Sequence, residues 1–425
     1  MIVTNPFKLK DYSTNIFYLF LVANIVSFSK LFFFEIKGGM ILSIIMILNF
    51  IICFKYYRIS GNHVIFILYL ILQILSFINY LAIPISRDFF VNNPIIIFQS
   101  INFILVPQLF FFMGGTLVGR QDAYIEKNLV NIIYINFTLV FVGIIFYFIR
   151  PNFFLSYQSE LFPQQFNYYA GYFPRLTSYM SSLVIGVICS TNFILSIEYI
   201  KDKWIKYIFM LTFAVGSFLS MERGSWVMLI FGTILFYLIK FYVENNKLRR
   251  PKLNKKLLAA IIIIVIIFFG AVYIMWDNVV FSKFIIELGK KVARLFNAYE
   301  ERIETWKTAI NLSIKYPFGL GLGILSHKGI QNNFIYSVAD GNYFRILGDI
   351  GYLGLINFLI LVFAGLLLLY KKRMMSILIS IIVFLMQAIG TNVFDLYYIS
   401  FLFWFFLGIA YAKKNHFSDT LKENI

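Results

Sequence analysis

Charge is what this 425-residue sequence has least of: Asp, Glu, Lys and Arg make up 13% of it, while 60% is hydrophobic and 20% aromatic. A soluble domain carries about 25% charge, so so apolar a chain is not a water-soluble globular protein. Acids are scarcer than bases, 20 against 37, which leaves a net charge of +17. Cysteine occurs only as Cys53 and Cys189, each inside an apolar run. That excludes a disulfide framework, and both thiols read as small buried hydrophobes. The three histidines and scattered carboxylates form no cluster with metal-ligand spacing, so no metal and no cofactor is expected. An internal repeat is also missing, which weighs against a transporter built from symmetric halves. The run "YPFGLGLGILSHKG" (316–329) lacks the Gly-Lys-Ser/Thr of a nucleotide P-loop, so its alternate glycines read as a turn or hinge.

What the chain does have is apolar runs of about 17 to 25 residues, the length at which a helix crosses a hydrocarbon core of roughly 30 Å. Twelve are expected, near 15–34, 40–54, 63–83, 94–118, 128–149, 176–198, 205–220, 225–243, 257–275, 349–370, 374–390 and 393–411. The fold class is therefore an all-α polytopic membrane protein, a single membrane domain over 1–425. Its basic N-terminal stretch leads into a first span with no small-residue cleavage site, so that span is expected to stay uncleaved. With both termini cytoplasmic, 22 Lys and Arg fall in the inner connections and tails, about 6 in the short outer segments and about 9 in one long outer loop. The positive-inside rule selects that orientation. The net charge is then a topology signal with a contribution from anionic lipid, and nucleic acid is not an expected partner.

Two connections are long, and both fall outside: 150–175 and 276–348. The first holds nine Phe or Tyr and ends at Arg175. Its aromatics suit an interfacial belt, or a wall against which sugar rings or prenyl chains pack. The second shows apolar residues at helical spacing, Phe281 to Leu295 and then Ile303, Trp306, Ile310 and Ile314, which predicts amphipathic helices ended by Pro317. Arg302, Trp306 and Ala309 follow i, i+4, i+7 and share a face. The glycine run is expected to be a flexible link from that helix to "DGNYFRILGDIG", where Asp340, Arg345 and Asp349 stand at the entrance of an apolar span. Ionisable residues at such positions are costly and are candidates for function. The outer turn "SMERGSWV" adds Arg223, with Glu222 as its local ion-pair partner.

These motifs resemble the O-antigen polymerase family, within the O-antigen ligase and polymerase superfamily of bacterial enzymes that join polyprenyl-linked sugars. The similarity rests on the enlarged outer loops after spans five and nine and, most specifically, on residues 302–355: Arg302, "WKTA", Pro317, "GLGLG" and "DGNYFRILGDIG". Arg175, ten residues before Gly186, and "MERGSW" are similar to further family arginine motifs. Asp340 stands where ligases have His, which argues for a polymerase over a ligase.

The resemblance implies a GT-C-like, inverting, metal-independent glycosyltransferase in the bacterial cytoplasmic membrane, its site facing the periplasm or exterior. It would polymerise undecaprenyl-pyrophosphate-linked repeat units into O-antigen or a related surface polysaccharide. A chain-length regulator and a flippase are the protein partners it implies, with membrane lipid around the chain. Arginines suit the departing pyrophosphate, and a base is needed for the acceptor hydroxyl. Arg175, Arg223 and Arg302 are assigned to the pyrophosphate, with Arg345 as a fourth. Asp340 is the first candidate base and His327 the second. Ligase-type transfer to another acceptor is the nearer alternative; a lipid-linked oligosaccharide flippase is the alternative from another class.

Overall fold

The computed structural model describes residues 47–48, 51, 63–118, 122–161, 175–177, 181–244, 286, 300–334, 336 and 340–412. Every regular element among them is helical. Helix α1 (Val64–Ala82) is followed by α2 (Pro84–Asn92), whose proline sits in the first turn, where its missing N–H has no partner to lose. Next come α3 (Ile95–Gly115), α4 (Asp122–Ile149) and α5 (Asn152–Leu161). α6 (Ser182–Tyr199) and α7 (Lys203–Leu219) are capped by Ser181 and Asp202, and α8 (Arg223–Glu244) closes the first group. α9 (Glu300–Lys315), the short α10 (His327–Gln331), α11 (Asn342–Lys371), α12 (Met375–Gly390) and α13 (Tyr397–Tyr411) complete it.

Among the described residues six helices are long and apolar enough to cross a membrane: α1, α3, α4 from Ile125, α6, α8 up to Tyr242, and α11. The shorter α12 and α13 are equally apolar. The chain is a polytopic helical membrane protein. Expected spans 15–34 and 257–275 lie outside the described residues, as does 40–54 apart from three positions. The aromatic outer loop lies largely outside them too, but its start is helical, as α5.

Small and polar residues set how the helices meet. Without a hydrophobic drive between helices in lipid, close backbone approach and interhelical hydrogen bonds carry the packing. α6 lies against α4, α7, α8 and α12. Its Gly186 faces Ser220 and Ser225, and Ser190 donates both to Gly186 O and to Ser225 O at 2.8 Å. A buried relay crosses the bundle: Tyr398 Oη donates to Asn136 Oδ1 (2.6 Å), and Asn136 Nδ2 to Asn192 Oδ1 (3.1 Å). α13 is buried along its whole length and lies on α3, where Gly408 meets Phe111 O and Gly114 meets Phe405 O. The outward surfaces of α1, α8 and the second half of α11 are Ile, Leu and Phe.

α11 is broken. Gly351 sits inside it with φ 72° and ψ −172°, so the carbonyls before it and the N–H groups after it lose their helical partners. The glycine run fills that break. Leu320 N donates to Gly348 O (2.8 Å), Gly321 N to Asp349 O (3.0 Å), and Tyr352 N to Pro317 O (3.1 Å). Asn79 of α1 donates to Phe318 O and Gly319 O, while Tyr80 and Ser100 donate to Leu322 O. Gly319, Gly321 and Gly323 have φ of 82°, 129° and 87°, open only to glycine at low cost. The expectation of a flexible link is thus corrected: residues 319–326 are buried and hydrogen-bonded, because non-helical backbone inside an apolar bundle must have its polar groups paired.

One further expectation shifts. α11 begins at Asn342, not near 349, so Arg345 and Asp349 lie within a buried half-helix and not at an exposed entrance. On α9, which ends at Lys315 just before Pro317, the packed face is Trp306, Ala309 and Ser313; Ile303, Ile310 and Ile314 point outward. Phe281, Phe284, Ile285, Leu288, Val292 and Leu295 lie outside the described residues.

A Cβ at position 351 would strike Pro317 O and Phe318, in a conformation that L side chains avoid. Gly351→Ala is therefore expected to lower stability by about 2 kcal/mol or more, read as a fall in the thermal midpoint of the detergent-solubilised protein. An unchanged midpoint would show that the break is not needed.

Candidate functional site

Three clusters hold the sequence-predicted residues. In the first, α9 presents Arg302 to the turn before α11. Its Nε lies 3.0 Å from Asp340 Oδ2, with the two side chains 27% and 31% exposed. Trp306, one turn along the same face, donates from Nε1 to Asp340 O (2.9 Å) and stacks on Phe344 at 4.8 Å between ring centres. Gly341, with φ 106°, lets the indole approach where a Cβ would collide. Arg302 and Asp340 are thus in direct contact.

The second cluster lies at the α7–α8 turn. Arg175 Nη1 is ion-paired with Glu222 Oε1, which also accepts from Ser182 Oγ (2.8 Å). Glu222 thus pairs with Arg175, where the sequence suggests its neighbour Arg223. Glu222 N donates to Ser220 Oγ (3.3 Å), and Ser225 Oγ donates to Glu222 O (2.8 Å), so this carboxylate stands on a braced turn. Arg223 opens α8, where its backbone belongs to the first turn.

The C-terminal end of α12 borders both clusters. The Gln387 side chain lies against Gly224, next to Arg223, and Ile389 O lies 3.3 Å from where a Cβ of Gly341 would stand. Arg175, Arg223, Arg302 and Asp340 are therefore gathered around one helix end from four stretches of sequence.

The third cluster is interior. Arg345 is 4% exposed at its side chain and lies 3.1 Å from Asp349 Oδ2 and 3.3 Å from Asp395 Oδ1. Asp349, with no exposure, also accepts from Gly323 N (3.0 Å) and Leu325 N (2.9 Å). Arg345, a fourth candidate for the pyrophosphate, faces two buried carboxylates here, and a further anion would have to compete with both.

His327 opens α10, which Ser326 caps, and its backbone N points to Asp395 Oδ2 at 3.4 Å. The residue lines a cavity of about 240 Å³ between α3, α10 and the turn before α13. Among the described residues no group of three or more His, Cys, Asp or Glu is placed to hold a metal ion.

Asp395 was not singled out in the sequence, although a signal exists: it is the only acid between Asp349 and Asp419. Asn342 ties it in, since Asn342 Oδ1 accepts from Phe394 N (3.1 Å). Glu222 had been assigned only a local ion pair, because nothing in the spacing of 175 and 222 indicates that they meet.

No family model matches the chain, and no curated protein matches it. The class shown is that of a helical membrane protein with arginine–carboxylate pairs gathered at one end of a helix.

Removing one partner of a buried charge cluster leaves the others uncompensated, at a cost of about 3 kcal/mol or more. Asp349→Ala should therefore destabilise the solubilised protein far more than Asp340→Ala, whose partner retains access to water. Equal thermal midpoints for the two variants would contradict this ranking.

Proposed function

We propose that this protein is a polysaccharide polymerase: an inverting, metal-independent glycosyltransferase that moves a growing glycan from undecaprenyl pyrophosphate to a hydroxyl of the next lipid-linked repeat unit. It works in the bacterial cytoplasmic membrane, both termini inside, with the site facing outward. The observation that carries this reading is the pair of partly exposed ion pairs, Arg175–Glu222 and Arg302–Asp340, bordering one end of α12. A guanidinium fork binds carboxylate and phosphate oxygens alike, so each arginine occupied by a carboxylate is also a seat for phosphate.

The two pairs differ in how they are held. Glu222 is fixed by Ser182 and by its braced turn, while the Asp340 carboxylate is held among the described residues by Arg302. The incoming pyrophosphate takes Arg302 and releases Asp340; Glu222 keeps Arg175 in place. Freed, Asp340 accepts the proton of the acceptor hydroxyl as that oxygen bonds to the anomeric carbon. The bond from that carbon to the pyrophosphate oxygen breaks, and undecaprenyl pyrophosphate leaves with the electron pair, its charge stabilised by Arg175, Arg223 and Arg302.

One observation favours the flippase reading. Broken helices in transporters present their ends to a cargo near mid-membrane. In α11, however, the ends at Gly351 are bonded to residues 317–321, leaving them no cargo to bind.

The test is chain growth on a synthetic lipid-pyrophosphate repeat unit by the purified full chain. Arg302→Ala and Arg175→Ala should each slow polymerisation about 100-fold, the usual worth of a transition-state anion contact. Asp340→Asn should bind undecaprenyl pyrophosphate more tightly than wild type yet fail to elongate. Normal elongation by both arginine variants would overturn the assignment, and unaided translocation of the lipid-linked unit without elongation would favour the flippase.

A further inference from the structure

The 240 Å³ cavity beside α10 plays no part in that chemistry, yet it is built from groups that bind. Its lining includes the apolar Phe103, Ile104 and Leu396 and the polar Gln99, Gln331 and Asp395, with His327 and Lys328 beside them. Phe103 and Ile104 come from residues 101–105, where α3 loosens into a π-helical turn, a deformation frequent at functional sites. Asp395 is 8% exposed at its side chain, and its Oδ1 has a charge partner in Arg345 but no hydrogen bond. Gln99 accepts from Asn332 Nδ2 and Gln331 from Lys328 Nζ, each at 2.9 Å, so each amide oxygen is already engaged and the NH2 group is the one left to donate.

We infer that this cavity is a subsite for one uncharged sugar ring of the glycan. The inference rests on the reading of the protein as a glycan-handling enzyme and adds where a ring is held. A pyranose has apolar C–H faces and hydroxyls around its edge, which matches an apolar wall opposite two amide donors and a carboxylate acceptor. The cavity lies below the roughly 300 Å³ at which drug-sized ligands begin, so it takes a single ring. Anions are disfavoured because Asp395 faces the space, and because Lys328, the nearest cation on this wall, already bonds Gln331 and sits 4.3 Å over the Phe103 ring. Position ties the cavity to the reaction: Asn342, two residues after Asp340, bonds the backbone beside Asp395. A ring seated there helps to place a neighbouring sugar at the Arg302–Asp340 pair, so the lining residues are positioning residues.

The experiment is saturation-transfer NMR on the purified full chain in detergent, with methyl glycosides of neutral hexoses and N-acetylhexosamines, methyl glucuronide and inorganic phosphate as probes. A neutral glycoside should bind and should not be displaced by glucuronide or phosphate. Gln331→Ala, an exposed position that should leave folding intact, and Asp395→Asn should each weaken binding about tenfold, the worth of one or two hydrogen bonds. In the polymerisation assay, Gln331→Ala should raise KM for the repeat unit with kcat little changed. Absence of neutral-glycoside binding in wild type, preference for the anionic probes, or binding and KM unaffected in Gln331→Ala would overturn the subsite. The polymerase reading fails separately: glycoside binding that depends on Gln331 in a protein that does not elongate would sustain the subsite and reject the reaction.

Discussion

The Asp349 carboxylate is the point on which the described structure depends. It accepts two backbone N–H groups from the glycine run and an ion pair from Arg345, with no exposure to solvent. In a low-dielectric interior an unpaired carboxylate is costly enough that its partners must all be present together. The break of α11 at Gly351 frees carbonyls for the same loop, so side-chain and backbone pairing reinforce one another. Through Arg345 the constraint reaches Asp395 and the turn before α13, and through Asn342 it reaches the start of α11. Asp340 and His327 thus occupy positions determined by a buried network that contains neither.

Burial also separates two uses of arginine. Arg345 is enclosed with its carboxylates and serves the fold. Arg175 and Arg302 hold their carboxylates near the surface, where water lowers the cost of separating the pair. A charged ligand can compete with the carboxylate for each fork, which suits these pairs to exchange. In the proposed mechanism the different support under Glu222 and Asp340 gives one pair a holding role and the other a reactive one, although both are Arg–carboxylate contacts of the same kind.

Much of this organisation was legible in one dimension because the bilayer imposes it. Nine of the twelve expected spans coincide with described helices, since each needs only enough apolar residues in a row to cross the membrane. Pro317 stopped α9 as its chemistry requires, and the Arg302, Trp306, Ala309 face was readable from helical spacing. Beyond that face, Ile303, Ile310 and Ile314 form a regular apolar stripe that points outward. In a membrane protein apolar periodicity does not distinguish a face turned to protein from one turned to lipid.

By itself the sequence determined the class of protein, the course of its helices, and which residues carry charge near apolar segments, because hydropathy and helical geometry act within tens of residues. Only the tertiary structure decided which charges meet. Arg175 and Glu222 are 47 residues apart, Arg302 and Asp340 are 38 apart, and Asp349 selects N–H groups 24 and 26 positions earlier. No local pattern encodes such pairings. They follow from helix packing around small residues, and from the rule that backbone and charge removed from water must find partners wherever the chain brings them.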